Sequence, residues 1–185
     1  PLRKEAKAAI EALHACGISK VVMMTGDNRK TAQAVAREVG VDQFYADVLP
    51  EDKASFIRQE KSAGRKVIMI GDGVNDTPAL SEADVGIAIN TGAAIAREIA
   101  DGTIASEDLF ELVTLRKISQ ALMNRIHRNY RFIVGFNCML IALGVAGVIQ
   151  PTTSALLHNA STLGISLDSM TDLLDKEKEC KEPEA

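Results

Sequence analysis

The sequence predicts an α/β fold: an incomplete parallel sheet with helices on both faces, followed by a long helix and a two-helix transmembrane hairpin. Three observations carry this prediction. Short apolar runs at residues 21–24, 67–70 and 85–89 alternate with helical segments that often end at glycine, as in βαβ units. The first two runs each lead into a loop rich in glycine and aspartate. Beyond residue 129, about 20 consecutive residues are predominantly apolar, enough for one crossing of a bilayer core.

Residues 2–16 are rich in Ala, Glu and Lys, with Ala6, Ile10 and Leu13 at helical spacing and Gly17 as the stop. The run 21–24 is short and uninterrupted, as for a strand covered on both faces. Residues 30–39 are helical and end at Gly40, and 43–47 suit a short strand. Pro50 opens a third helix to residue 63, closed by Gly64. The strand 67–70, a helix over 76–83 and the strand 85–89 complete the alternation. In parallel sheets of this kind, ligands gather beyond the carboxyl ends of the strands. Both motif loops fall there.

The domain plan that follows has five parts: an α/β region over 1–106, an amphipathic linking helix over 107–129, spans over 130–150 and 152–170, and a charged tail over 171–185. In the linking helix, Leu109, Leu112, Leu115, Ser119, Leu122 and Ile126 fall near one face. Arg116, Lys117, Arg125, Arg128 and Arg131 cluster before or at the start of the first span, while the turn after it is uncharged. The positive-inside rule then places the soluble part and both termini in the cytoplasm of a multi-pass membrane protein. The tail carries too little apolar surface to order itself.

A formal net charge of −4 argues against binding nucleic acid through the phosphate backbone, and the absence of Trp leaves little for base stacking. The three cysteines, Cys16, Cys138 and Cys180, show no Cys-x-x-Cys spacing, so neither a zinc site nor a disulfide framework is indicated. The chain opens on a charged, helix-like segment rather than a signal sequence, and Pro1 in place of an initiator methionine fits a fragment.

The chemistry concentrates in Gly71-Asp72-Gly73-Val74-Asn75-Asp76-Thr77-Pro78 and Thr25-Gly26-Asp27-Asn28. Asp72 and Asp76 share one loop and can serve one hard cation, since magnesium takes one or two carboxylates plus phosphate and water oxygens. Asn75 can donate to a phosphate oxygen. Asp76 is equally placed to cap the helix that follows it. Thr25 and Gly26 offer a hydroxyl and a backbone N–H to phosphate oxygens, while Asp27 and Asn28 also suit an ordinary turn. Lys53, just after Pro50-Glu51-Asp52, is either a solvated helix lysine or a group that neutralises phosphate charge. Asp101-Gly102-Thr103 is rejected as a nucleophile motif because it follows a helical segment and comes after the other motifs.

Thr25-Gly26-Asp27-Asn28, Pro50-Glu51-Asp52-Lys53 and Gly71-Asp72-Gly73-Val74-Asn75-Asp76 resemble, in order, the later motifs of P-type cation-transporting ATPases. The resemblance implies a haloacid-dehalogenase-like phosphorylation domain that works with Mg2+ and ATP. It makes Asp72 a magnesium ligand and Asp76 a helper in magnesium binding. Lys53 would contact an aspartyl phosphate, Thr25 and Gly26 would hold phosphoryl oxygens, and Asp27 would stabilise the closed nucleotide state. The Asp-Lys-Thr-Gly segment that carries the phosphorylated aspartate is absent. The expected role is therefore that of a C-terminal piece of a pump, incomplete as an enzyme. The missing N-terminal part would come from the same polypeptide or from a partner chain.

Asn129-Tyr130, Gly135-Phe136-Asn137 and the stretch from Ala155 to Thr162 resemble the last two membrane helices of heavy-metal pumps, with a transition-metal ion as substrate. Asp168-Ser169-Met170-Thr171 departs from the Asn-Ser-Met-Arg expected there, and the copper pattern Met-x-x-Ser-Ser is absent, so the metal is left open. Polar groups within a span face a pathway or a partner helix. Asn137, His158, Asn159, Ser161 and Thr162 are thus either ion-path residues or interhelical hydrogen-bonding groups. The alternative from another class is a membrane-anchored pseudo-enzyme without a nucleophile that regulates or binds a pump.

Overall fold

The structure, a computed structural model, describes residues 5–71, 74–89, 94–104 and 109–173. The chain divides into two compact units, Pro1–Leu115 and Arg116–Ala185.

In the first unit the order is α1 (Ala6–Ala15), β1 (Val22–Met24), α2 (Arg29–Val39), β2 (Gln43–Tyr45), α3 (Pro50–Ser62), β3 (Ile68–Gly71), α4 (Thr77–Glu82), β4 (Val85–Ile89), α5 (Ala94–Ile99) and β5 (Gly102–Ile104). A single 3₁₀ turn, Val74–Asp76, joins β3 to α4. The expected alternation is therefore present, and every strand pair is parallel. The expected continuous sheet is not. The strands form a pair, β1–β2, and a separate trio, β3–β4–β5. Among the described residues, none forms a strand that joins β1 to β3, so each has one open edge. The helix α5 and the strand β5 also exceed what the sequence predicted. β5 is three residues long and opens on Gly102, too short to show an apolar alternation.

The hydrophobic cluster of this unit joins Ile87, Ile104 and Leu112, with Leu13, Ile70, Ile89 and Leu109 packed against it. Ile57 of α3 and Leu80 of α4 are almost wholly buried. These two helices bring the loops after β2 and β3 to one side of the fold.

One device recurs at the amino ends of the strands. The residue before β2, Asp42, accepts the Val21 N–H at 2.6 Å. The residue before β4, Asp84, accepts the Val67 N–H at 3.0 Å. The residue before β5, Asp101, accepts the Gly86 N–H at 2.8 Å. Each carboxylate satisfies a backbone donor at the start of a neighbouring parallel strand, where the slanted ladder otherwise leaves it without a partner. Asp101 thus sits at the end of its sheet opposite the loops that carry the chemistry. This is the physical reason it cannot serve as a nucleophile there.

The second unit holds most of α6 (Phe110–Val145) and all of α7 (Pro151–Ser169). The linking helix and the first expected span are one continuous helix. It stops at Val145 because Gly147 adopts the left-handed conformation, φ 70°, and the chain turns toward Pro151. Arg125 of α6 donates from Nη1 to the Thr171 carbonyl at 2.7 Å and from Nη2 to the Asp172 carbonyl at 2.8 Å. Arg128 pairs with Asp168 at 2.8 Å. A cation at the carboxyl end of α7 is favoured by the helix dipole as well as by these bonds.

The transmembrane hairpin is a correction. Among the described residues, no helix is long and apolar enough to cross a membrane. The apolar run of the sequence extends to Ile149, but α6 ends at Val145. Its helical part beyond Arg131 would measure about 21 Å at 1.5 Å per residue, short of a hydrocarbon core of about 30 Å. In α7, Ser154, His158, Asn159, Ser161, Thr162 and Ser166 dilute the apolar character.

Candidate functional site

The loops that follow β1, β2 and β3 supply the residues singled out by the sequence. Each begins at the carboxyl end of a strand in a parallel sheet, where backbone groups are no longer committed to a ladder. The β1 loop is shaped by short-range bonds. Thr25 Oγ1 accepts the Asp27 N–H at 3.1 Å and donates to Asp27 Oδ2 at 3.2 Å. Asn28 Oδ1 accepts the Thr31 N–H at 3.1 Å, which caps α2. Asn28 is therefore a turn and cap residue, as one of its two readings held. The Thr25 N–H donates to the Tyr45 carbonyl at 3.0 Å and the Thr25 carbonyl accepts from Val48 at 3.1 Å. This ties the β1 loop to the loop that enters α3, in which Asp47 takes a positive φ of 53°.

Lys53 lies in the first turn of α3. Pro50 starts the helix, and the Asp52 carboxylate accepts the Leu49 N–H at 3.3 Å. The Lys53 amine donates to Asp76 Oδ1 at 2.7 Å. The pair is shielded, with side-chain exposures of 14% and 11%. Lys53 is thus not a solvated helix lysine. Asp76 does not cap α4 either, since no side-chain cap bond is present. Enclosing a carboxylate this far costs solvation that a paired cation or several donors must offset. Lys53 supplies the cation.

Asp76 can settle there because the residue facing it is glycine. A Cβ on Gly71 would lie 2.6 Å from Asp76 Cβ and 3.0 Å from Asp76 Oδ2. Gly71 is therefore a seat for the carboxylate. In the residue after Asp76, Thr77 Oγ1 is buried with no hydrogen-bond partner among the described residues. Its buried hydroxyl was not singled out by the sequence; only its place after Asp76 could have signalled it.

Asn75 is exposed in the same 3₁₀ turn. Asp72 and Gly73, the other expected contributors, lie outside the described residues, as does Cys180. Among the described residues no three His, Cys, Asp or Glu side chains converge on a point that could hold a metal ion. A buried carboxylate on a glycine seat has the oxygen chemistry that a hard cation takes. Asp76 is the group here that would bind one, and the cation would supply charge neutralisation to a bound phosphate.

The helical unit places the other expected residues. Asn137 and His158 meet across α6 and α7, with His158 Nδ1 and Asn137 Oδ1 2.9 Å apart. Ser161 and Thr162 both donate to the His158 carbonyl, at 2.8 and 3.0 Å. These groups therefore bond between and within helices. A groove in this unit is lined in part by Asn124, Arg125, Arg128, Tyr130 and Arg131. It contains none of the residues expected to bind phosphate.

Residues 1–84 match the haloacid dehalogenase-like hydrolase family. Over 169 residues and 91% of its length, the chain is 38% identical to a manganese-exporting P-type ATPase of Mycobacterium bovis (strain ATCC BAA-935 / AF2122/97), covering 24% of that protein. Over 157 residues and 85% of its length, it is 46% identical to copper-transporting ATPase 2 of Rhizobium meliloti (strain 1021), covering 19% of it. The crystal structure of a zinc-transporting PIB-type ATPase in its E2.Pi state superposes with a TM-score of 0.86 at 31% identity. That match covers 92% of this chain and 28% of the pump.

Over most of its length the chain is similar to one segment of heavy-metal P-type ATPases. It spans about a fifth to a quarter of the length of the curated relatives it matches. The family match runs past the end of α4, so it takes in both motif loops and the Lys53–Asp76 pair. Manganese, copper and zinc appear in the names of the three relatives, so kinship does not single out one metal. The alternative of a regulatory pseudo-enzyme finds no support among them.

Proposed function

We propose that this segment forms the later half of the phosphorylation domain, together with a helix pair, of an ATP-driven transition-metal pump. The observation that carries the proposal is the shielded Lys53–Asp76 pair. It places a cation and a carboxylate from two separate motifs in contact beyond the carboxyl ends of parallel strands. Asp72 and Asp76 would hold Mg2+, and Lys53 and Asn75 would meet the oxygens of an aspartyl phosphate. Thr25 and Gly26 would bind phosphoryl oxygens, and Asp27 would favour the closed nucleotide state. Phosphoryl transfer depends on such positioning and charge neutralisation more than on covalent chemistry of the protein.

The segment contains no Asp-Lys-Thr-Gly, so by itself it would take up no phosphate from ATP. The rest of the pump would supply the nucleophile on a strand. The open edges of β1 and β3 offer main-chain groups for such a strand. Placement of α6 and α7 at a membrane is supported by kinship and by their exposed apolar faces. The soluble unit and both ends would then be cytoplasmic. Asn137, His158, Asn159, Ser161 and Thr162 would border the path of the transported ion.

A chimera tests this reading. The corresponding segment of the Rhizobium meliloti copper-transporting relative is replaced by this chain, and metal-stimulated, vanadate-sensitive ATP hydrolysis is measured in membranes. The chimera is expected to hydrolyse ATP, and Asp72→Asn is expected to lower the rate by at least about 100-fold, as loss of electrostatic stabilisation does elsewhere. A correctly inserted chimera that hydrolyses ATP equally well with Asp72→Asn would rule the assignment out.

A further inference from the structure

We propose that Lys53 occupies the place of the divalent cation at Asp76 and thereby sets the cation affinity of the site. The inference rests on the reading of Asp76 as part of that cation site, and concerns what controls it. Asp76 Oδ1 already receives the Lys53 amine at 2.7 Å. Its other oxygen, Oδ2, faces the Gly71 seat. A magnesium ion needs oxygens at about 2 Å. An ammonium group and a divalent ion cannot both sit on one carboxylate oxygen in so small an enclosure, because their charges repel.

Lys53 can leave without unfolding the helix. Its stem has four rotatable carbons and springs from the first turn of α3, so a swing of the side chain leaves the hydrogen bonds of the turn intact. A phosphoryl group arriving nearby would draw the amine to its own oxygens and release Asp76 to the cation. Cation and phosphoryl binding would then favour each other through one lysine. With neither present, the ion pair keeps a buried carboxylate neutralised.

The test measures Mn2+, a spectroscopic substitute for Mg2+, by electron paramagnetic resonance with the full purified chain in detergent. The variants are Lys53→Met, of similar length without charge, and Asp76→Asn. Lys53→Met is expected to bind Mn2+ about tenfold or more tightly than the parent chain, from removal of one adjacent positive charge. Asp76→Asn is expected to abolish binding. In parallel, acetylation of the Lys53 amine is followed by mass spectrometry. Its reactivity is expected to rise when Mg2+ is added to the parent chain, as the amine is displaced.

Equal or weaker Mn2+ binding by a folded Lys53→Met overturns the inference while leaving the cation site in place. Undiminished binding by Asp76→Asn, or no binding by either parent or Lys53→Met, overturns both the inference and the cation reading of Asp76. Should Lys53→Met fail to fold, the acetylation experiment decides alone. Unchanged Lys53 reactivity at saturating Mg2+ is then the contradicting result.

Discussion

The two units of this molecule treat apolar side chains in opposite ways. In the α/β unit, Ile57, Leu80, Ile87 and Val113 are at most 3% exposed. In the helical unit, Leu140 is the one buried apolar residue among those described, while Ile141, Val145, Leu156, Leu163 and Leu167 are all more than half exposed. A helix pair cannot enclose a core by itself, whereas sheets covered by helices can. Apolar surface on this scale marks an interface with protein or lipid. The difference teaches that the first unit buries a core of its own, and that the second leaves apolar surface that the rest of a pump would cover.

The largest effect that sharpens this comparison is expected from Leu80→Ala in α4. Leu80 is 1% exposed, and such a truncation costs about 2–5 kcal/mol through lost burial and a residual cavity. Urea unfolding followed by circular dichroism should show it as a lower midpoint for the α/β unit. A smaller loss, about 1 kcal/mol, is expected from Asn28→Ala, which removes the cap on the Thr31 N–H. Hydrogen exchange of the first turn of α2 should accelerate while α3 is unaffected.

Asp84 gives the pH dependence. The hydrogen bond from Lys66, then that from the Val67 N–H, holds its carboxyl below the ordinary value of 3.8. The folded state therefore binds this proton less readily than the unfolded chain. Its contribution is present above the unfolded value and is lost as pH falls through the lowered one. Asp84→Asn is expected to flatten the fall in stability below about pH 4, with little change in its slope at neutral pH, as read from urea midpoints across the acid range.

The smallest effect belongs to the other unit. Leu156→Ala, at a site 69% exposed, should shift the stability of the isolated chain by no more than about 0.5 kcal/mol. In the chimera the same change should reduce assembly into membranes. A large effect in the isolated chain would break the comparison.

What was legible in the sequence follows the same division. The α/β alternation was readable because apolar runs and glycine stops set its periods, and β4 matched residue for residue at Val85–Ile89. The motif loops were readable as loops because glycine, aspartate and asparagine gather at the strand ends. Contacts between motifs were not. The pairing of Lys53 with Asp76 joins residues 23 positions apart and depends on how α3 packs against α4. The fitting of Asp76 against Gly71 depends on the missing Cβ of one glycine in space, and sequence shows only that a glycine is present. The bonds of Asp42, Asp84 and Asp101 were not legible, because strand neighbours must be known before a carboxylate can be assigned to a neighbour's N–H. The helix boundary at Val145 was missed because hydropathy continues through Gly147 to Ile149, whereas the backbone turns there.

The central claim is that this chain is one part of a larger pump whose remainder completes the sheet and surrounds the helix pair. The most direct test is the intact mass of the native protein, purified from source membranes through a tag placed after Ala185. The account predicts a mass several times the 19.9 kDa of the chain. A native product near 19.9 kDa, purified without a companion chain, would contradict it.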